Sequence, residues 1–457
     1  MKQKKLLYTF LLMVTVAGSS CKKFLTVEPQ ESTSDDVTIV DENSARTAVR
    51  GIYNQLESNG YYGYTFQTLG FFSGDNIEYV GSQTVNKQLT NHDVKADLAA
   101  LSTAWSAIYN TINRTNNVIA KVPSLPVTAT LTNDVKNALV GEAYFIRALA
   151  YFDLARTWGG VQIVTKPTAS ASDRPQGKRA TLQQTYAQVL ADLTTAESLL
   201  PLSTNRIRAT RKTVWALRAR LHLYLQQWQP AEEYATKVLA DNANYSLVSP
   251  YNAFFANNAS NTSESVLELY YNTTVTNNQA SQWLPSSKGG VGWVKPTTAV
   301  VDLLNNALKG GNRNKLLIAD VSGGVTTWYG NLYYRIATSG GTDPAFLIRI
   351  AELYLIRAEA RAQQDNLGGA KTDLDAVRNR AGLLGTTAST KDDYLQAIED
   401  ENRLEFALEN HRWYDLVRTN RAQIVLGITD ARKLVLPIPY SETLIDPNLE
   451  QNPSYGQ

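Results

Sequence analysis

Three glutamates, Glu401, Glu405 and Glu409, recur at every fourth residue near the end of this chain, interleaved with Arg403, Arg412, Asp415 and Arg418. On a helix that spacing puts the three carboxyls on one face, with Arg412 next in line. Two carboxyls facing each other across a sugar ring could hydrolyse a glycosidic bond. The same spacing also serves helix packing, and no glycine-rich or aromatic cleft signal accompanies it. The expected role is an ion-pair network that ties this helix to the rest of the fold. The three histidines, His92, His222 and His411, are far apart and form no HExxH pair. His411, beside Trp413, is expected to pack rather than act as a base. Ser73-Gly74-Asp75 lacks the Gly-x-Ser-x-Gly of a nucleophile elbow. Cys21 is the only cysteine, so neither an intramolecular disulfide nor a cysteine-based metal site is available. No catalytic residue, metal ligand or cofactor is assigned.

The aromatic residues point to binding instead. There are 24 Tyr and 8 Trp, many in loop-like segments. Flat rings stack on the C–H faces of sugars while Asp, Asn and Arg meet the hydroxyls. Two segments supply both parts. One holds Tyr61, Tyr62 and Tyr64 with Asp75 and Asn76; the other holds Trp283, Trp293, Trp328 and Tyr329 with Asn331. These are the candidate ligand-binding residues. Their competing role is to pack loops onto helices. An enzyme of the glycoside hydrolase class would instead draw on carboxylates of the second segment, such as Asp302 or Asp320.

Composition narrows the classes further. Of 457 residues, 44 are Lys or Arg and 42 are Asp or Glu, a formal net charge of +2. That balance provides no steering field for nucleic acid. An apolar content of 43% can fill a large core. The amino end has its own order: Lys2, Lys4 and Lys5, an apolar run from Leu6 to Val16, then Ala17-Gly18-Ser19-Ser20 and Cys21. A basic, apolar and small-residue sequence of this kind is an export signal. The apolar run is short for a transmembrane helix, and no second one follows. A single cysteine just after such a signal suggests acylation. Residues 1–20 are therefore expected to be a signal peptide. Cys21 is the expected lipidation site that tethers the chain to a bacterial membrane, and residues 21–41 form a polar tether.

The elements that must position these groups are mostly helices. Ala45, Val49, Ile52, Tyr53 and Leu56 recur at helical spacing, as do Leu101, Trp105, Ile108, Ile112 and Val118 in a helix over about 96–121. Residues 133–157 are apolar on most faces, which marks a central helix. Residues 181–200 form another helix, and 391–421 form the last long one. Leu217-Arg218-Ala219 with Ala231, Ala235 and Val238 matches Ile356-Arg357-Ala358 with Ala370, Leu374 and Val377. The first alanine precedes the second by the same interval in both. Small residues at these sites let antiparallel helices approach closely, as in a tetratricopeptide unit. Ile146-Arg147-Ala148 resembles a third opening helix, paired with residues 181–200. Between units, residues 245–342 change texture, with β-type runs at 265–271 and 328–334 and a helix near 297–308. Large irregular insertions often carry function. The tail, with Pro437, Pro439, Pro447 and Pro453, is expected to be mostly extended.

Together these residues resemble the SusD/RagB family of surface lipoproteins, over almost the whole mature chain. Cys21-Lys22-Lys23-Phe24-Leu25 resembles the family's mature amino end. Gly141 to Ala148, continuing to Trp158-Gly159-Gly160-Val161-Gln162, resembles its central helix and turn. Ile398 to Arg418 resembles its ERxxE…RWxDL helix, with Asn402 and Asn410 where Arg and Gly are more usual. Leu436-Pro437-Ile438-Pro439-Tyr440-Ser441-Glu442 and Asn448 to Pro453 resemble its closing motif.

The resemblance implies a mostly α fold. It would have a tetratricopeptide-like helix-pair scaffold with an irregular, loop-rich insertion containing short β-strands, in a single domain over 42–457. It also implies a non-catalytic outer-membrane lipoprotein, exposed at the cell surface. Such a protein binds a glycan or oligosaccharide and delivers it to a TonB-dependent, SusC-like transporter. The ligand groove would form between the early loop region and the middle insertion. A peptide-binding or interaction scaffold of tetratricopeptide type is the remaining alternative.

Overall fold

The computed structural model describes residues 39–170, 173, 177–337 and 340–455. The expected signal peptide, Cys21 and all but the end of the tether lie outside these residues. Among those described, no helix is long and apolar enough to cross a membrane.

The principal helices are α1 (Glu42–Leu56), α2 (Thr65–Ser73), α3 (Ala99–Lys121), α4 (Asn133–Trp158), α5 (Leu182–Leu199), α6 (Arg211–Tyr224), α7 (Trp228–Leu239), α8 (Ile350–Gln363), α9 (Leu367–Arg380), α10 (Lys391–Glu405) and α11 (Arg412–Arg418). Local chemistry fixes their starts. Asp41 and Ser44 satisfy each other's backbone N–H at the head of α1, Thr181 and Gln184 do so at α5, and Thr390 and Asp393 at α10. Each is a capping box that occupies donors with no partner inside the helix. α4 ends at Gly159, whose φ of 79° suits a residue without a Cβ.

The helices pack as antiparallel pairs, α4 on α5, α6 on α7 and α8 on α9. α7 also packs on α8, so the pairs stack, and α10 closes the row against α8 and α9. This is the tetratricopeptide-like arrangement expected from the repeat. The matched residues are its contact points: Ala219, Ala231, Ala235, Ala358 and Ala370 are all fully buried. The arginine of each Leu/Ile-Arg-Ala opening is an anchor as well. Arg147 grips Asp192 through two bonds of 2.8 and 2.7 Å, and Arg357 grips Asp373 with the same two lengths. Arg218 reaches back to Glu197 of the preceding pair at 2.9 Å. α4, buried on nearly every face, lies between α3 and α5.

The strands are β1 (Ile77–Tyr79), β2 (Ser265–Leu269), β3 (Val294–Pro296), β4 (Leu317–Ser322), β5 (Val325–Gly330), β6 (Ile336–Ala337), β7 (Gly340–Gly341) and β8 (Ala345–Arg349). They form antiparallel pairs, β1 with β3, β2 with β8, β4 with β5 and β6 with β7. The β4–β5 hairpin turns through Gly323 and Gly324, both at positive φ. The insertion between α7 and α8 is not a separate layer. Its Tyr251, Phe254 and Trp283 belong to the same apolar core as α1 to α8, a core reaching from Ile39 to Leu449.

Two expectations change in detail. The last helix does not run from 391 to 421. It ends at Glu405, turns through 406–411 and resumes as α11. The cause lies elsewhere in the chain: the Glu405 carbonyl accepts from Arg349 Nη2 (3.1 Å) and Tyr251 Oη (3.2 Å), and Glu409 folds back onto Arg349 at 2.6 Å. The tail is extended as expected, except for a short helix at Tyr440–Ile445. It clamps the end of α4. Trp158 Nε1 donates to the Pro437 carbonyl (3.0 Å), and Asn452 Nδ2 donates to the carbonyls of Trp158 (2.9 Å) and Leu436 (2.7 Å). The central-helix motif and the closing motif thus meet in space.

Candidate functional site

The early segment and the insertion do come together. β1 pairs with β3, so that Tyr79 faces Val294, Glu78 faces Lys295 and Ile77 faces Pro296. The Val80 N–H extends this ladder to the Trp293 carbonyl at 2.8 Å. A second bridge joins the loop before α2 to the insertion. Asn278 Nδ2 donates to Asn59 Oδ1 (2.8 Å), and Tyr64 Oη reaches Gln282 Oε1 (3.5 Å).

On this seam lies a patch of half-buried rings. Trp293 packs edge-on against Tyr79, with centroids 6.3 Å apart. Gly292 has a φ of 61°, and a Cβ there would stand 2.7 Å from the Tyr329 ring. Only glycine permits that approach. Lys295 Nζ lies 5.7 Å from the Tyr329 centroid. Trp293 and Tyr329 therefore share one surface, edged by Lys295 and Glu78. Burial beside Tyr79 raises the Tyr64 hydroxyl well above its ordinary value, so it stays a neutral donor.

The other residues singled out from sequence lie elsewhere. Tyr61 and Tyr62 are buried and stacked at 4.6 Å, and both hydroxyls donate to Asp153 Oδ2, at 2.6 and 2.7 Å. Asp153 is itself paired with Arg156 at 2.8 Å. Asn76 is buried, bonded to Arg403 Nε and to the carbonyls of Arg403 and Ala407. Asp75 pairs with Arg412 (2.7 Å) and Arg403 (2.9 Å). Trp283 is fully buried, edge-on to Phe71 at 5.5 Å, with its Nε1 donating to Gln279 at 2.9 Å. As ligand contacts, Tyr61, Tyr62, Asn76 and Trp283 are corrected: their polar atoms and ring faces are spent inside the fold, and they hold the seam from behind. Trp328 and Tyr329 are neighbours on β5 and point to opposite faces by strand alternation. Trp328 leans on the core.

Asn331, just after β5, belongs to a separate cleft of about 300 Å³, lined also by Asn252, Phe255, Ala256, Asn257, Asn258 and Tyr334. Sequence reasoning missed this cleft and the roles of Tyr79, Gln282 and Lys295. The asparagine-rich run at 252–261 was a usable signal; the cross-chain pairing of β1 with β3 was not.

The carboxylates nearest to a catalytic pair are sealed into an ion network. Arg349, fully buried, bonds Glu264 (2.9 Å), Glu405 (2.8 Å) and Glu409 (2.6 Å). Arg313 and Arg380 also grip Glu405. Burial pushes Glu405 up, but Arg380, Arg313 and Arg349 outweigh it and hold the carboxyl at about 2. Burial raises Glu409 instead. His411 stacks on Phe406 at 4.2 Å, and desolvation with nearby guanidiniums holds it neutral. Asp302 is exposed on the helix Thr298–Asn305, while Asp320 in β4 accepts from Ser287 Oγ at 2.6 Å.

Two larger hollows lie away from the seam. One, of about 420 Å³, lies between α3, the segment after α4 and the tail, beside Trp105 and Tyr109. Two of its amides are already engaged: Asn113 bonds both backbone groups of Thr168, and Gln162 bonds Gly177 and Asp446. The other, of about 480 Å³, lies among α7, α8, α10 and the segment after α11, where Glu359 and Glu399 are paired with Arg418 and Arg421.

Comparison with known proteins gives two family matches. Residues 23–225 match the family described as "Starch-binding associating with outer membrane", and residues 323–455 match the SusD family. SusD-like protein P38 of Formosa agariphila is 27% identical, with 99% of this chain and 100% of that protein covered. A SusD superfamily protein of Bacteroides vulgatus superposes with a TM-score of 0.81 at 21% identity, covering 91% of this chain and 99% of the other. A laminarin-binding SusD-like protein superposes with a TM-score of 0.76 at 24% identity, covering 91% and 100%.

Proposed function

The chain belongs to the SusD/RagB family, and we propose that it is a non-catalytic surface lipoprotein that captures a glycan and passes it to a TonB-dependent, SusC-like transporter in the outer membrane. The observation that carries this reading is the seam of β1 and β3, which brings the early loop and the insertion together under the rings of Trp293 and Tyr329. Rings with Lys295, Glu78 and Gln282 near them suit a sugar, which needs a flat apolar face and hydroxyl partners at once. The laminarin-binding protein of the same fold is consistent with a glucan ligand.

A binding role without catalysis agrees with the fate of Glu401, Glu405 and Glu409. Each is buried in ion pairs with guanidiniums and closed off from any substrate. A general acid would need a raised carboxyl open to substrate. Acylation at Cys21 would hold the protein at the membrane, and the 21–41 tether would let the helical frame dock on the transporter while the patch faces outward. Capping the channel in this way would keep a captured glycan from diffusing off before transport.

The test is isothermal titration of a glycan panel, with peptides as the competing class. At least one oligosaccharide should bind saturably. Tight binding of peptides, with no response to any glycan, overturns the sugar assignment.

A further inference from the structure

The cleft beside Asn331 resembles a built site more than a surface irregularity. Four asparagines, Asn252, Asn257, Asn258 and Asn331, line it together with Phe255 and Tyr334. Among the described residues the carboxamides of Asn252, Asn257 and Asn258 make no hydrogen bond to the protein. Asn331 uses only its Nδ2, donating to the Lys315 carbonyl at 3.2 Å, which leaves its oxygen to the cleft.

The loop is also held in shape at a cost. Asn257 and Asn258 both have positive φ, 53° and 58°. Consecutive non-glycine residues in that region are disfavoured and persist only where the surroundings impose them. Here the Tyr334 hydroxyl imposes them: it accepts from the Asn258 N–H and donates to the Phe255 carbonyl, each at 2.9 Å. Arg335 adds a bond to the same Phe255 carbonyl at 3.1 Å and another to Ala259. With the backbone fixed in advance, only the side-chain amides remain to be ordered when a ligand binds.

The lining chooses the ligand. A carboxamide offers a donor and an acceptor side by side, which matches a hydroxyl acting as both. No charged side chain lines the cleft, and the Arg335 guanidinium behind it is spent on the Phe255 and Ala259 carbonyls and paired with Asp343, so an anion would find little free counter-charge. The geometry points to a second saccharide subsite, distinct from the ring patch at Trp293 and Tyr329 and selective for neutral sugars. This deepens the glycan-binding reading and rests on it.

Isothermal titration of the full chain in detergent separates the two claims. The panel is neutral hexasaccharides of β-1,3-glucan, α-1,4-glucan, xylan and mannan, with an oligogalacturonate as the charged member. One variant carries Asn252→Ala, Asn257→Gly and Asn258→Gly, which removes the free amides and relieves the positive φ. A second carries Trp293→Ala and Tyr329→Ala. The first should lose one of two sites, or about tenfold in affinity, for a neutral hexasaccharide. The second should keep the cleft site. Unchanged binding by the asparagine variant overturns the subsite and leaves the ring patch standing, as does cleft-dependent preference for the oligogalacturonate. No binding of any sugar by the native chain removes both claims.

Discussion

Glu405 is the residue whose loss should be felt most widely. Its side chain is fully buried and accepts from Arg313, Arg349 and Arg380, so it joins the insertion, β8, α9 and α10 at one point. Glu405→Gln keeps the shape and removes the charge that three guanidiniums share. The carboxyl is held at about 2 against an ordinary 4.5. At roughly 1.4 kcal/mol per pH unit, that difference corresponds to about 3 kcal/mol of stability at pH 7. Removing one partner of a buried ion pair costs about 3–5 kcal/mol in general, which agrees.

The sign of the pH dependence follows from a lowered carboxyl. Its contribution is complete above pH 4.5 and fades as pH falls toward 2. Denaturant unfolding of native protein and Glu405→Gln should therefore differ by about 3 kcal/mol at pH 7 and by under half of that at pH 3. A difference below about 1 kcal/mol at pH 7, or one that stays the same at pH 3, would refute the reasoning.

Two further outcomes are expected. Tyr61→Phe should lower stability by about 1–2 kcal/mol, since Asp153 loses one of its buried donors, and should leave glycan affinity unchanged; titration and unfolding of the same protein check both. Cys21→Ala should fail to sediment with membranes, because one acylation site carries the anchor; a variant that still pellets with them rejects lipidation there.

The helical frame was legible because its code is local. Ala219 and Ala231, like Ala358 and Ala370, are small where helices cross, and that spacing can be read along the chain. Capping pairs such as Thr181 with Gln184 are equally local. The break after Glu405 was not legible, since it depends on Arg349 and Tyr251, both distant in sequence. The aromatic residues failed for the same reason. Whether a tyrosine in the run 61–64 faces inward turns on Asp153, some ninety residues away. Tyr329 can lie beside Trp293 because Gly292 admits its ring, and nothing in the local sequence marks that glycine as different. Asn252, Asn257 and Asn258 were visible only as composition until Tyr334 gave their loop a shape.

The most direct measurement compares the native chain with Trp293→Ala, Tyr329→Ala by calorimetric titration against whichever oligosaccharide of the panel binds best. Removing two ring contacts at the centre of a site should weaken binding by about 2 kcal/mol or more, at least thirtyfold, while thermal unfolding stays near the native value. Equal affinity in the two proteins would mean that the sugar is held somewhere other than the seam between the early loop and the insertion.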